Sequence, residues 1–203
     1  MEKTVCFRDF EERDIDFVYK CKNDEKLNSM IVGQWHPFTY EEATKWVHGC
    51  MGEHDTYKFW AIATNDDEKR IVGWISLSNI DKINRSACSH GVVVADPAYR
   101  NGLAWIESIL FIYEQVFEKM KFNRIYGSCR ADHQLSMQMA DAMYRYSEGI
   151  QREAIFNNGK FIDIYCSSLL AREYFEHKNN GDYEIPKIIR RLVSEKKKHK
   201  NNK

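Results

Sequence analysis

The stretch from Gly91 to Phe117, GVVVADPAYRNGLAWIESILFIYEQVF, holds the residues best suited to binding an anion. The run Val92 to Val94 favours a buried strand, because β-branched side chains fit a pleated surface. A short loop with Arg100, Asn101 and Gly102 then leads into apolar residues at helical spacing. Such a junction presents unpaired N–H groups and the positive end of a helix dipole, which suits a phosphate-bearing ligand. Many strand-to-helix turns bind nothing, so the junction alone does not identify a ligand.

The elements that must position this junction follow from hydrophobic periodicity and turn signals. Strands are expected over residues 4–10, 57–64, 70–79, 86–95, 124–130, 150–156 and 161–169. Helices are expected over residues 14–21, 25–31, 39–51, 106–120 and 135–144, with Gly149 breaking the last one. Thr39 and Glu42 predict a capping box at the third helix, and the sequence NNGK predicts a tight hairpin between the last two strands.

Composition indicates a globular protein of ordinary size. The 203 residues fit one domain and a tail, and the formal net charge of zero gives no field to attract nucleic acid or a membrane. No apolar run approaches the roughly 20 residues of a membrane span, and the N-terminus has no signal-peptide pattern. The six cysteines are scattered without a CxxC pair, which predicts reduced thiols rather than a zinc site. We therefore expect a cytoplasmic protein without a metal, a membrane or a nucleic-acid partner.

The C-terminal segment, residues 179–203, differs from the preceding domain, residues 1–178. Nearly every charge from Lys187 onward is positive. A solvated, partly disordered tail is the usual interpretation of such a charge block, and a basic arm that recruits an acidic partner is the alternative. A short amphipathic helix is expected before the arm, from five apolar residues: Ile185, Ile188, Ile189, Leu192 and Val193. That helix could dock on the domain or on another subunit, as in a homodimer.

The order of elements and several stretches of sequence resemble the GNAT acyltransferases, and within them the ribosomal-protein N-terminal acetyltransferases. The matching stretches are KCKNDEKLNSMI, ISLSNIDKINRSA and GIQREAIFNNGKFIDIYCSSLLAREYF. The most specific part is the hairpin from Arg152 to Asp163, REA-x-x-x-NGK-x-x-D. The resemblance covers about Thr4 to Phe175. It implies a mixed α/β fold: a mostly antiparallel twisted sheet of about seven strands, with helices on both faces and a central V-shaped cleft.

The resemblance also implies acetyl-CoA as the acyl donor. In this family the pantetheine pairs with the backbone of the central strand, here Val92, Val93 and Val94. The loop that binds the pyrophosphate corresponds to Arg100, Asn101, Gly102, Leu103, Ala104 and Trp105. The family signature there is Arg/Gln-x-x-Gly-x-Gly/Ala, and this sequence has Leu103 and Trp105 on its glycines unless the loop slides by one residue. Trp105 could narrow the site, reposition the nucleotide or pack inward.

The catalytic positions depart from the family as well. Where this branch often has a glutamate on the central strand, the alignment places Ser89, with His90 next to it. A histidine is a suitable general base near neutral pH, while Ser89 could hold a water. Regular strand alternation allows only one of the two to face the cleft. The alternative for His90 is an ordinary core or surface histidine.

The helix after the next strand usually begins with asparagine in this family, and a tyrosine seven residues later protonates the departing thiolate. The matching positions are His133 and Ala140. His133 could contact the donor or cap the helix alongside Asp132, and Ala140 cannot donate a proton. Tyr144 lies four residues on, which is the same face of a helix, and is the nearest substitute. The alternative interpretation is that Tyr144 packs in the core as an ordinary aromatic residue.

The acceptor implied by the resemblance is a primary amine. It would be gripped by Trp35, His36 and Phe38 of the loop VGQWHPFTY, together with Asn158 of the hairpin, since loops commonly carry specificity. An amino sugar, a polyamine, an antibiotic or a protein N-terminus would serve, and we favour a small amine metabolite. The missing glycines, glutamate and tyrosine support an alternative, a GNAT-like domain that binds acyl-CoA with little or no turnover. A third, weaker hypothesis is a ribosome- or nucleic-acid-associated module that acts through the basic tail.

Overall fold

The sheet contains seven strands. The computed structural model describes residues 3–32 and 35–201, and their side chains apart from those of residues 90 and 195–201. The strands are β1 (Val5–Arg8), β2 (Lys58–Thr64), β3 (Ile71–Asp81), β4 (Ser86–Val94), β5 (Arg124–Arg130), β6 (Tyr146–Asn157) and β7 (Lys160–Leu170). Their spatial order is β1-β2-β3-β4-β5-β7-β6, and every neighbouring pair is antiparallel except the parallel pair β4–β5. The predicted mixed, mostly antiparallel sheet is confirmed.

Seven helices complete the fold of the described residues. They are α1 (Ile15–Lys22), α2 (Glu25–Asn28), α3 (Tyr40–Cys50), α4 (Leu103–Tyr113), α5 (Gln134–Ala142), α6 (Ala171–Asn179) and α7 (Ile185–Asn201). The capping box before α3 is confirmed, because the backbone N–H of Thr39 donates to Glu42 Oε2 at 2.7 Å and that of Glu42 donates to Thr39 Oγ1 at 3.2 Å. After α4 the chain continues in a π-helical turn over Glu114–Lys119.

The sheet carries apolar cores on both faces, as expected. Ile106 and Ile112 of α4 lie in one core, which also contains the fully buried Ile188 of α7. Val18 of α1 and Val47 of α3 lie in the core on the other face. No helix within the described residues is long and apolar enough to cross a membrane. No cluster of their His, Cys, Asp and Glu side chains is suited to hold a metal ion.

The turn between β6 and β7 follows the local sequence closely. Asn157 pairs with Lys160, so the connection has two residues, Asn158 and Gly159, with φ of 49° and 78°. Positive φ at both central residues matches the right-handed twist of a hairpin, and Asn-Gly adopts it readily. The predicted hairpin is confirmed.

The expectation that Gly149 ends the helix before β6 is wrong. Helix α5 ends at Ala142, and Tyr144 turns the chain with a left-handed φ of 60°. Gly149 instead lies inside β6, where its φ of 119° accommodates a register shift against β7. A glycine in a strand often marks such a bulge. Gly149 therefore forms an irregularity in β6 and does not end a helix.

Candidate active site

The central strands β4 and β5 separate to form a V-shaped cleft. They pair only where residues 86–88 lie beside residues 124–126. Beyond the pair Cys88–Tyr126 the strands diverge, and a cleft of ≈ 400 Å³ opens between them, with the N-terminus of α4 at its rim. The cleft is lined by seven of the residues predicted for the site: Ser89, Val92, Val94, Arg100, Gly102, Trp105 and His133.

A bulge in β4 sets the shape of the inner wall. Val92 pairs with Ile75 and Ser89 pairs with Leu77, so two residues of β4 lie opposite Ser76 alone. One of them is Gly91, whose φ is 37°. The extra residue of a bulge lies outside the hydrogen-bonded ladder and reverses the alternation of side chains. Ser89 and Val92 therefore both line the cleft although they are three residues apart.

The bulge lies next to Ser89 and His90, the two candidates for removing the proton of the amine. Ser89 lines the cleft and is 6% exposed. The side chain of His90 lies outside the described ones, so its role as a base stays a prediction. Alternation in a regular strand no longer decides between Ser89 and His90, because β4 has a bulge directly after Ser89.

The loop before α4 has the backbone geometry expected of an anion site. Gly102 is the N-cap of α4 with a left-handed φ of 92°, and the first turn contains no acidic side chain. The side chain of Arg100 ties the loop to the end of β4, because Nε donates to Val94 O at 3.0 Å and Nη2 to Ala95 O at 2.5 Å. Trp105 packs against the α4 core and also forms part of the cleft wall.

Four residues predicted to contact the donor do not line the cleft in the described structure. Val93 packs into the opposite core, with α1 and α3. Asn101 Oδ1 accepts a hydrogen bond from the backbone N–H of Leu103 at 3.0 Å. Ala104 is 1% exposed. The side chains of these residues are therefore not part of the cleft wall, and contacts of their backbone with the donor stay a prediction.

His133 caps α5, which is one of its two predicted alternatives, and its contact with the donor stays a prediction. Its Nδ1 accepts a hydrogen bond from the backbone N–H of Ser136 at 3.1 Å, which caps α5. The same ring lines the cleft. Asp132 does not share the cap, because it binds Arg130 at 2.7 Å. The ring is thus held in place at the cleft wall.

The structure contradicts the placement of Tyr144 at the cleft. Its ring stacks on His177 of α6 with centroids 3.7 Å apart, and the guanidinium of Arg191 on α7 lies 4.3 Å from the ring centroid. The prediction assumed that α5 continues past Ala140 to Tyr144. Because α5 ends at Ala142, helical spacing no longer applies and the tyrosine faces the C-terminal helices.

The four predicted acceptor contacts also lie away from the lining of the cleft. Trp35 Nε1 donates to Lys22 O at 2.8 Å, and the ammonium of Lys22 lies 5.3 Å from the ring of Phe38. The ring of His36 packs on Phe38. Asn158 occupies the tip of the hairpin, where its positive φ serves the turn. These contacts join the aromatic loop to α1.

The closed end of the cleft contains residues that sequence reasoning missed. They include Tyr113, Gly127, Cys129, Arg145, Tyr165 and Ser167. A glycine inside a strand signals close approach, and a Cβ built on Gly127 would lie 2.6 Å from Ser89 O. Arg145 carries no such signal in the sequence. Its Nε donates to Ser167 Oγ and its Nη2 to Ser167 O, each at 3.0 Å.

The positive charge of Arg145 acts on the groups around it. Burial raises the pKa of the Cys129 thiol to about 11, and Arg145 opposes that rise. Burial likewise raises the pKa of the Tyr113 hydroxyl to about 12, again against the effect of Arg145. Arg145 therefore offsets part of the cost of a negative charge at the closed end of the cleft, although burial outweighs it for both groups.

A second pocket lies against the other side of β5. Its volume is ≈ 360 Å³, and it shares Gly127 and Ser128 with the cleft. Glu148 and Gln151 give it polar groups. The hydrogen-bonded ion pair with Arg124, at 2.7 Å, lowers the pKa of Glu148, so its carboxylate is ionised at neutral pH.

Comparison with known proteins identifies relatives of this fold. A family model described as an acetyltransferase (GNAT) domain matches residues 4–143. An acetyltransferase of the GNAT family from Bacillus anthracis is 23% identical, with a TM-score of 0.72, over 85% of this chain and 98% of that one. A spermidine N-acetyltransferase from Vibrio cholerae in complex with CoA and spermine is 19% identical, with a TM-score of 0.72 and the same coverage. A GCN5-related N-acetyltransferase from Brucella melitensis is 18% identical, with a TM-score of 0.75, over 92% of this chain and 85% of that one. No curated protein matches the chain.

Proposed function

The chain belongs to the GNAT family of acetyl-CoA-dependent N-acetyltransferases, and from this premise we propose that its acceptor is the primary amine of a small metabolite. The observation that carries the proposal is the meeting of the cleft with the second pocket at Gly127 and Ser128. One space suits the donor, and the other, of ≈ 360 Å³ and lined by the polar side chains of Glu148 and Gln151, suits a small amine. The structurally similar enzyme from Vibrio cholerae is a spermidine N-acetyltransferase. Polyamines are therefore the first class of acceptor to test.

The described residues fit acetyl-CoA as the donor. The N-terminus of α4, entered through Gly102 and free of acidic side chains in its first turn, suits the pyrophosphate. Because of the bulge, β4 from Val94 back to Ser89 spans only the four steps from Gly73 to Leu77, about 13 Å at ~3.3 Å per residue, along which the extended pantetheine arm would lie. Val92, Val94 and His133 would line that arm. The donor supplies an activated acetyl group at the closed end of the cleft.

The bulge in β4 is suited to polarise the carbonyl group of the thioester. Backbone N–H groups outside the ladder can donate to an oxygen on which negative charge develops, and such preorganised donors commonly contribute most to acyl transfer. His90 in the bulge is the proposed base that takes the proton of the amine, and the adjacent Ser89 would hold a water. Positioning of the amine against the carbonyl carbon supplies much of the remaining acceleration.

A thiol-release assay with acetyl-CoA and a panel of polyamines, amino sugars and N-terminal peptides tests the proposal. We expect turnover with at least one small amine and a rise in melting temperature with acetyl-CoA alone. Turnover with peptides only would overturn the small-metabolite acceptor. A rise in melting temperature without turnover on any amine would instead support the alternative of a domain that binds acyl-CoA without catalysis.

The six cysteines are free thiols. Together with acetyl-CoA as the donor, this supports the cytoplasm as the compartment.

A further inference from the structure

Arg145 stands at the point where the two central strands part. Gly127 directly follows the last β4–β5 pair, Cys88–Tyr126. A Cβ built on Gly127 would lie 2.6 Å from Ser89 O and 3.1 Å from Arg145 Nη2. The guanidinium therefore occupies the space that the missing side chain of Gly127 leaves beside the apex of the cleft. The thioester end of an extended donor arm would reach this apex.

The surrounding structure holds the guanidinium in place from two sides. Ser167, which is 4% exposed, accepts hydrogen bonds from Nε and Nη2. The preceding residue, Tyr144, has a φ of 60°, an outlier for a bulky side chain that persists only where its surroundings fix it. The rings and charges that fix it come from His177 and Arg191. The turn at Tyr144 thus positions the side chain of Arg145 at the cleft.

The positive charge of Arg145 is not cancelled by the described carboxylates. None of them forms an ion pair with it, and the nearby Glu148 is held by Arg124 at 2.7 Å and by Ser168 Oγ at 2.8 Å. The remaining titratable groups on which Arg145 acts are neutral when protonated: Cys88, Tyr113, Cys129 and Tyr165. A half-buried cation without an ion-pair partner among the described residues favours an anion that the ligand brings.

From this geometry we propose that Arg145 stabilises the CoA thiolate as it leaves, at the apex of the cleft. The inference rests on the proposed function, in which the nitrogen of the amine bonds to the carbonyl carbon of the thioester. The carbon–sulphur bond then breaks, its electron pair leaves on sulphur, and one proton of the amine passes to the base and on to solvent. No acid is needed at the sulphur when a permanent cation faces it. This role replaces the one predicted for Tyr144, which does not line the cleft.

The test is the ionisation of the CoA thiol in its complex with the protein, measured by thiolate absorbance with desulfo-CoA as the blank. A positive charge within hydrogen-bonding range lowers the pKa of an acid by about one unit or more. We expect the bound thiol to titrate at least about one unit lower in the wild type than in Arg145→Met, with Arg145→Lys in between. The exposed Arg172→Met is the control for loss of one positive charge, and it should leave the titration unchanged.

Comparing kcat with the Kd of CoA distinguishes stabilisation of the leaving thiolate from a purely structural role of Arg145. Arg145→Met should lower kcat for acetyl transfer by about 10-fold to 10²-fold, while the Kd of CoA at low pH, where the thiol is protonated, stays within about threefold. If Arg145→Met does not fold, Ser167→Ala, which removes one of the two acceptors, should produce a smaller change of the same sign.

An unchanged thiol pKa in a folded Arg145→Met complex would overturn the proposal. A wild-type preference for succinyl-CoA that Arg145→Met abolishes would also overturn it, and would reassign Arg145 to the acyl group. The titration needs no acceptor, so it stays decisive even if no small amine is acetylated.

Discussion

The ring of Tyr144 lies nearly parallel to the imidazole of His177, with centroids 3.7 Å apart and planes 9° from parallel. This contact connects the turn after α5 to α6. Arg191 of α7 adds a second contact, because its Nε donates to Ala142 O at 2.8 Å and its guanidinium faces the tyrosine ring. Both helices lie outside residues 4–143, the part matched by the family model. The segment beyond the family match thus fixes the turn that carries Arg145.

Tyr144→Phe should leave acetyl transfer nearly unchanged. The substitution keeps the stacked ring and removes only the hydroxyl of a residue that does not line the cleft. We expect kcat/KM to change by less than about threefold, far below the 10² to 10⁴ of a lost general acid. The measurement is steady-state kinetics at several pH values. A loss of about 10² in a folded variant would reinstate the tyrosine as the acid.

Gly102→Val should weaken CoA binding by about tenfold. A β-branched residue at a φ of 92° costs of order 1–2 kcal/mol, and it must adopt that φ for the N–H groups of α4 to face the pyrophosphate. Asn101→Ala, which removes only the hydrogen bond to the Leu103 N–H, should weaken binding less. Calorimetric titration with CoA gives both values. Equal affinities in folded variants would mean that the pyrophosphate binds elsewhere.

The sequence was most informative where structure is local. The capping box at Thr39 and the turn at Asn158 depend on a few adjacent residues, so they could be predicted, as could the strands and the apolar face of α4. The bulge in β4 was missed, although Gly91 within that strand is the kind of residue that often marks one. Arg145 could not be predicted. Its place depends on Ser167 and Gly127, which only the folded sheet brings beside it.

The ion pair between Arg124 and Glu148 should make a small, pH-dependent contribution to stability. Hydrogen bonding to Arg124 lowers the pKa of Glu148 in the folded state. Its stabilisation is therefore present above the pKa of the unfolded chain, about 4.3 for glutamate, and is lost as the pH falls through the lower folded pKa. Because both side chains are about one third exposed, we expect only ~0.5–1 kcal/mol.

Urea unfolding of the wild type and Glu148→Gln measures this contribution. The difference in the free energy of unfolding should be largest near neutral pH and vanish near pH ~3. Lys45→Gln, which breaks an exposed pair with Glu41, is the matched control and should show a smaller difference. A difference that persists undiminished at pH ~3 would contradict the ion-pair account.

His90→Gln tests the proposed base. General bases typically contribute 10² or more, so we expect kcat/KM to fall by about 10² and an ionisation near neutral pH to disappear from the pH–rate profile. Ser89→Ala should cost less and leave that ionisation in place, because a water-holding hydroxyl does not titrate there. Full activity in His90→Gln would mean that the amine arrives already deprotonated, with activity rising towards its own pKa.

Competition between acceptors shows whether the substrate is a small amine or a protein N-terminus. The protein is incubated with acetyl-CoA, a mixture of polyamines and amino sugars, and an equal concentration of peptides with free N-termini, and the acetylated products are quantified by mass spectrometry. We expect acetylation of at least one small amine, with one CoA thiol released per product and a kcat/KM at least about tenfold above that of any peptide, a preference of about 1.4 kcal/mol. Acetylated peptides with unmodified small amines would contradict it.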